Sequence, residues 1–174
     1  TLTLKNKTVT YTGKGKKIGA ASVKGAAGKI TYKYYSDSKC TKRFSTYPSK
    51  VGTYYVIASA KATATSNSAK SNVAKLMIKK SNPMKVKVAS KTYKAKKSTG
   101  KLNKKHSFII GVKNAKGKVT YSRSKASKAY ITVSKKGKVT VRKGTPKGTY
   151  TITVKAKGTS KYRGKSKKIT IKVS

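Results

Sequence analysis

Apolar and polar residues alternate with a period of two along most of the chain, the pattern of a strand with one buried face. The clearest run covers residues 117–156. Ile131 and Val133 alternate with Thr132 and Ser134; Lys135-Lys136-Gly137 intervenes; Val139 and Val141 then alternate with Lys138, Thr140 and Arg142. A three-residue loop ending in glycine suits a type I turn followed by a left-handed residue, so this spacing predicts a hairpin. A second turn over residues 143–148 leads to Tyr150, Ile152, Val154 and Ala156 on one face, with Thr149, Thr151, Thr153, Lys155 and Lys157 on the other.

The same period predicts the remaining strands. Residues 1–11 read as one strand through Leu2, Leu4 and Val9, with Asn6-Lys7 as a break or bulge. Residues 18–23 read as a short strand, Gly25-Ala26-Ala27-Gly28 as a turn, and residues 29–35 as an aromatic-rich strand with Ile30, Tyr32 and Tyr34 on one face. In Ser36-Asp37-Ser38-Lys39 the aspartate is expected to hydrogen-bond its own backbone. Residues 53–60 read as a strand by β propensity, residues 65–71 as a loop, and residues 73–79 as a strand burying Leu76 and Ile78. Ser81-Asn82-Pro83 is a breaker cluster and the candidate boundary. Beyond it, Val86 and Val88 open a strand, Thr92-Tyr93 mark another, residues 94–105 form a basic loop, and residues 108–112 (FIIGV) predict a buried strand. Ile169, Ile171 and Val173 carry the last one.

The two halves repeat three landmarks in the same order. Gly28-Lys29-Ile30-Thr31-Tyr32 matches Gly117-Lys118-Val119-Thr120-Tyr121; Gly52-Thr53-Tyr54 matches Gly148-Thr149-Tyr150; Lys75 to Lys79 matches Lys168 to Lys172. Such self-similarity predicts two homologous all-β domains, 1–80 and 84–174. Each is expected to be an immunoglobulin-like β-sandwich of about seven short strands.

Composition changes this picture in one respect. The 174 residues contain 46 Lys+Arg against a single acid, Asp37, for a formal charge of +45. Hydrophobic residues make up 35%, below the globular norm of roughly 45–50%. Low hydrophobicity with high net charge is also the signature of disorder. In this chain, however, the lysines alternate with β-branched residues in strand-length runs, which argues for folded sheet. A cationic coat of this density repels itself, and one carboxylate offers little internal compensation. Polyanion binding explains the near-elimination of acids. Charge kept for solubility alone and deliberate supercharging are the alternatives. No apolar run reaches membrane-spanning length. The chain begins at Thr1 without methionine, and the expectation is a monomeric fragment of a larger surface protein.

Residues 117–122 (GKVTYS), 130–141 (YITVSKKGKVTV) and 148–154 (GTYTITV) together resemble the bacterial immunoglobulin-like repeats of Gram-positive cell-surface proteins, a likeness that covers most of residues 84–174. The first half is similar to a related surface-repeat domain through residues 32–41 (YKYYSDSKCT) and 51–56 (VGTYYV), more loosely. The resemblance implies a non-enzymatic stalk, spacer or adhesion module at the cell surface or secreted, with no catalytic residues to carry over. Where such repeats commonly place aspartate and asparagine in their loops, this chain has lysine or serine.

Candidate chemistry is thin. Calcium needs clustered oxygen ligands, and one aspartate does not supply them. Zinc needs three or four His, Cys or carboxylate ligands; Asp37, Cys40 and His106 are scattered. Paired-carboxylate catalysis needs two acids, and a Cys–His nucleophile would draw Cys40 and His106 from different domains. No enzyme, cofactor or metal is expected. Cys40, among Lys39, Lys42 and Arg43, is either a reactive thiol favoured by positive charge or, the preferred reading, a turn or buried residue. His106 reads as a loop-end residue. A Lys–Asn cross-link promoted by an acid has no acid in the second half. Of the aromatics, 12 are tyrosine, two phenylalanine and none tryptophan. Tyr54 and Tyr150, each after Gly-Thr at a strand start, match the tyrosine corner of immunoglobulin-type sandwiches. Tyr32, Tyr34 and Tyr35 could instead stack on bases or sugars beside Lys29 and Lys33.

The expected function is therefore a cationic surface module of the Gram-positive cell wall. Its expected partners are anionic polymers: teichoic acid, acidic glycans, or DNA and RNA non-specifically. The alternative is a structural spacer. The expected contact cluster is Lys135, Lys136 and Lys138 on the hairpin, Arg142, Lys143 and Lys147 on the next turn, and Arg163, Lys165, Lys167 and Lys168 before the last strand. Hairpin turns collect at both ends of a sandwich, so a single shared surface for all ten is not implied.

Overall fold

Because apolar residues recur at every second position, the computed structural model is built from strands, and it describes residues 1–25, 28–88 and 90–174. The predicted turn Gly25-Ala26-Ala27-Gly28 has Ala26 and Ala27 outside the described residues. Two compact units divide the chain, Thr1–Ser81 and Asn82–Ser174.

In the first unit β1 is Leu2–Thr3, β2 Lys7–Thr10, β3 Ser22–Val23, β4 Ile30–Tyr35, β5 Gly52–Ala60, β6 Ala69–Lys70 and β7 Ala74–Lys79. The main sheet runs β2-β7-β5-β4, with β6 added to the end of β5. The expected single strand over residues 1–11 is two strands. β1 pairs antiparallel with β3 and β2 pairs parallel with β7, so the chain changes sheets between them. Asn6 makes the crossing possible: its Oδ1 accepts the Lys75 N–H at 2.7 Å, replacing a ladder bond. Likewise residues 18–23 give only the two-residue β3, although Ile18 is buried. The expected loop over 65–71 contains β6. Val56, Ala58, Leu76 and Ile78 form the core against Leu2, Leu4 and Ile18.

In the second unit β8 is Lys85–Val86, β9 Ser90–Tyr93, β10 His106–Ile109, β11 Val112–Lys113, β12 Val119–Arg123, β13 Ile131–Val133, β14 Lys138–Val141, β15 Gly148–Ala156 and β16 Lys165–Val173. One short helix, α1 (Lys125–Lys128), follows β12. One layer is the sheet β12-β15-β16-β9; the other holds β10-β14-β13 with the β11-β8 pair. The first of these layers repeats the main sheet of the first unit. β4, β5, β7 and β2 correspond to β12, β15, β16 and β9, down to the parallel pairing of the last member. Both units are thus immunoglobulin-like in architecture, and the fold is all-β.

One expectation in this unit needs correction. Residues 108–112 are not one buried strand. β10 pairs with β14 and β11 with β8, and Ile109 is 66% exposed while Ile110 is buried. A continuous apolar run hides which residues face out, and in this run Phe108, Ile110 and Val112 take the inner side. Asn82, in the breaker cluster at the boundary, is buried: its Nδ2 donates to the Lys116 and Arg163 carbonyls and its Oδ1 accepts from the N–H groups of Met84 and Lys116.

Candidate polyanion-binding surface

The hairpin forms as its sequence requires. Ile131, Thr132 and Val133 face Val141, Thr140 and Val139 across the β13–β14 ladder. The Gly137 N–H donates to the Ser134 carbonyl at 2.9 Å, and Gly137 is left-handed at φ +80°. No other residue type fits that position: a Cβ there would lie 2.8 Å from Tyr121 Oη and 3.0 Å from the Ile110 carbonyl. The tip therefore holds Lys135 and Lys136 in solvent against β12. An open groove of about 440 Å³ runs beside it, lined by residues that include Lys118, Tyr121, Ser134 and Lys135.

All ten expected contact residues are exposed, and the register distributes them over two poles of the unit. Val119 on β12 and Lys165 on β16 both lie opposite Ala156 on β15. The hairpin tip borders the same end of β12. Lys135, Lys136, Lys138, Arg163 and Lys165 accordingly share one pole, and Lys167 and Lys168, opposite Val154 and Thr153, lead from it toward the middle of the sheet. Lys147 precedes Gly148, at the other end of the nine-residue β15, roughly 25–30 Å away at the usual rise per residue. Lys143 and Arg142 stand with it. Arg142 is partly committed to structure, its Nη1 donating to the Ala129 carbonyl at 3.2 Å.

The first pole also gathers lysines that linear spacing did not single out. Lys155 lies opposite Ser166, and the Lys157 N–H donates to the Lys118 carbonyl at 2.9 Å, extending the β12–β15 ladder with a lysine facing a lysine. Like charges directly opposite across a ladder are unfavourable. The available signal was the alternation of Lys155 and Lys157 with core residues; only the register shows that Lys118 joins them. The second unit contains no aspartate or glutamate, so no acidic side chain of its own offsets this pole.

The remaining candidates take structural parts. The Asp37 carboxylate accepts the N–H groups of Thr41 and Lys42 and the Thr41 hydroxyl, and those bonds, Lys42 first, hold its pKa below the ordinary carboxylate value. Cys40 sits in that turn at φ +58°, and its thiol pKa is raised, first by burial and then by Asp37. Its place in that turn fits the turn reading of Cys40, and neither influence on the thiol favours the thiolate. His106 opens β10 and stacks on Tyr93 at 4.2 Å. Tyr34 is buried, and its hydroxyl accepts the Ile18 N–H; the Tyr32 hydroxyl accepts the Ala21 N–H. Tyr54 and Tyr150 donate to the carbonyls four residues before them, Lys50 at 3.0 Å and Pro146 at 2.9 Å, as a tyrosine corner does. Among the described residues no three His, Cys, Asp or Glu side chains gather to hold a metal, and no helix is long and apolar enough to cross a membrane.

No protein-family model and no curated protein matches the chain. Among solved structures, the chain is similar to the fibronectin(III)-like modules of Clostridium thermocellum CbhA, at 15% identity and a TM-score of 0.43, covering 100% of this chain and 93% of that one. Mouse cadherin-23 EC22-24 matches at 15% identity and TM-score 0.37, over 99% of this chain and 63% of that chain. A SusE-like surface-located polysaccharide-binding protein from Bacteroides thetaiotaomicron matches at 14% identity and TM-score 0.40, over 99% and 33%. The chain thus spans less than two thirds of the length of the cadherin fragment and a third of the last.

Proposed function

We propose that the chain is a non-enzymatic, extracellular module of a bacterial surface protein. In this reading it holds anionic polymers through lysine contacts centred on the first pole of the second unit. One observation carries the proposal: Lys138, Lys155 and Lys165 from three strands, Lys135 and Lys136 from the turn, and Lys118 and Lys157 beside the ends of β12 and β15 gather there, in a unit without a single acidic side chain. Such a surface is unfavourable alone and becomes favourable when a polyanion lies across it. The likeness of residues 117–154 to bacterial immunoglobulin-like repeats supports the cell-wall setting, where teichoic acid and acidic glycans are the polymers at hand.

Lysine is a point charge on a flexible stem, so it positions a polymer without reading it. Binding then spans teichoic acid, heparin-like glycans and DNA, ranked by charge density. A salt-titrated binding series on these polymers tests this. For nucleic acid, affinity falls log-linearly with salt, with a slope of about 0.7–0.9 per phosphate contact. Changing Lys135, Lys136 and Lys138 together to glutamine should lower that slope by about two to three. Salt-insensitive binding to an uncharged glycan would overturn the proposal.

A further inference from the structure

The loop before β3 packs against the edge strand β4 and leaves a cleft of about 440 Å³ in the first unit, lined by Lys17, Gly19, Ala20, Tyr32, Tyr34 and Tyr47. This volume is in the range of small-molecule clefts, roughly 300–1,000 Å³. Its walls are fixed. Tyr47 meets Tyr34 edge-on at 5.3 Å, and the Gly15 backbone lies against it so closely that a Cβ there would stand 3.0 Å from the Tyr47 Cβ. The Lys16 N–H donates to the Pro48 carbonyl at 2.9 Å, tying the two loops together. Gly19 has φ +109°, and a Cβ on it would lie 3.2 Å from Lys7 Nζ, which brings a second ammonium to the rim.

The chemistry of the lining is one-sided. Tyr32 and Tyr34 each accept a backbone N–H from the loop and retain their own hydroxyl proton for donation. Burial raises the Tyr34 pKa, which keeps that hydroxyl protonated. Lys17 Nζ sits 5.0 Å from the Tyr47 ring centre, and no carboxylate lines the cleft. The cleft therefore offers donors and two cations to an acceptor-rich, negatively charged guest. It does not offer open parallel ring faces, which base stacking requires, because Tyr34 meets Tyr47 edge-on and Lys17 lies over the same ring.

We infer that this cleft is a subsite for one uronate residue of an acidic polysaccharide, with the carboxylate at Lys17 and Lys7 and the sugar oxygens at the tyrosine hydroxyls. The inference rests on the reading of the chain as a polyanion binder and adds a preference among polyanions that the second-unit lysines lack.

The test measures binding of the full chain to a heparin-derived hexasaccharide and to linear polyphosphate of equal charge, at one salt concentration. The expected result is a preference for the saccharide of about tenfold, the equivalent of one or two directed hydrogen bonds. Lys17→Gln should erase most of that preference. Ala20→Phe should do the same: it fills the cleft from an exposed position and removes none of the contacts that hold Tyr47. Both variants should leave polyphosphate affinity within about twofold. A wild-type chain without the preference, a preference that survives Ala20→Phe, or the same preference for single-stranded DNA overturns the inference. If neither polymer binds, the polyanion reading itself fails. If both bind alike, only the cleft does.

Discussion

Single residues set the limits of stability with pH. Acid unfolding is mostly the protonation of carboxylates that the native state has engaged, and this chain has one acidic side chain, Asp37. Its folded pKa is lowered by the Lys42 and Thr41 N–H groups. Its contribution is therefore present above the unfolded value of about 3.9 and lost as pH falls through the folded value. Tyr34, Tyr54, Tyr93, Tyr121 and Tyr150 are shifted the other way, raised by burial. Their contribution is present below about 10 and lost as pH rises beyond it. The expected outcome is a Tm nearly flat between about pH 5 and 9, measured by thermal melts across pH 2–11. Asp37→Ala should lower the plateau and remove the dependence near pH 4. The tyrosine corners give a second prediction. Tyr54→Phe and Tyr150→Phe each delete one side-chain bond, at a cost of about 1 kcal/mol. Each should lower the Tm of its own unit by about 4–8 °C.

At the scale of elements, glycines at turns separate two costs. Gly137 and Gly144 share nearly the same backbone, φ +80° and +79°, yet a Cβ at Gly137 meets Tyr121 and Ile110 while one at Gly144 meets nothing within 4 Å. Gly144→Ala should cost only the backbone term, about 1–2 kcal/mol. Gly137→Ala adds a steric clash and should cost clearly more in a denaturant melt, and equal costs would mean that the hairpin tip is not fixed against β12. The hairpin, the inward positions of β7, β15 and β16, and the repeated sheet were all legible, because alternation marks faces wherever one face is wet. The crossing at Asn6, the split at Ile110 and Gly111, and the grouping of Lys118 with Lys157 were not. Each depends on which strand pairs with which, and pairing is set by distant segments. α1 was missed for a local reason. Residues 125–128 (KASK) carry no apolar period, and the turn is held instead by Ser127, whose hydroxyl accepts the Thr151 N–H and donates to the Thr151 carbonyl.

For the whole molecule the governing quantity is the +45 formal charge carried by two small cores. Lysines on adjacent strands are separated by a spacing of about 4.8 Å between backbones. The screening length is about 30 Å at 0.01 M salt, 10 Å at 0.1 M and 3 Å at 1 M. Repulsion within one sheet is therefore only partly screened at physiological salt, and relief continues towards molar concentrations. The unfolded chain spreads the same charge over a larger volume, so added salt should favour the folded state over this whole range. The expected outcome is a Tm that climbs steadily from 0.01 to 1 M sodium chloride. Sulfate, which is also excluded from protein surface, should raise it further at equal ionic strength. Sucrose supplies the control, since it acts through exclusion and leaves the charges unscreened. A Tm unchanged between 0.01 and 0.5 M sodium chloride, with sucrose as effective as sulfate, would mean the lysine coat does not strain the fold. The coat would then need no external polyanion to relieve it, and the physical case for one would be gone.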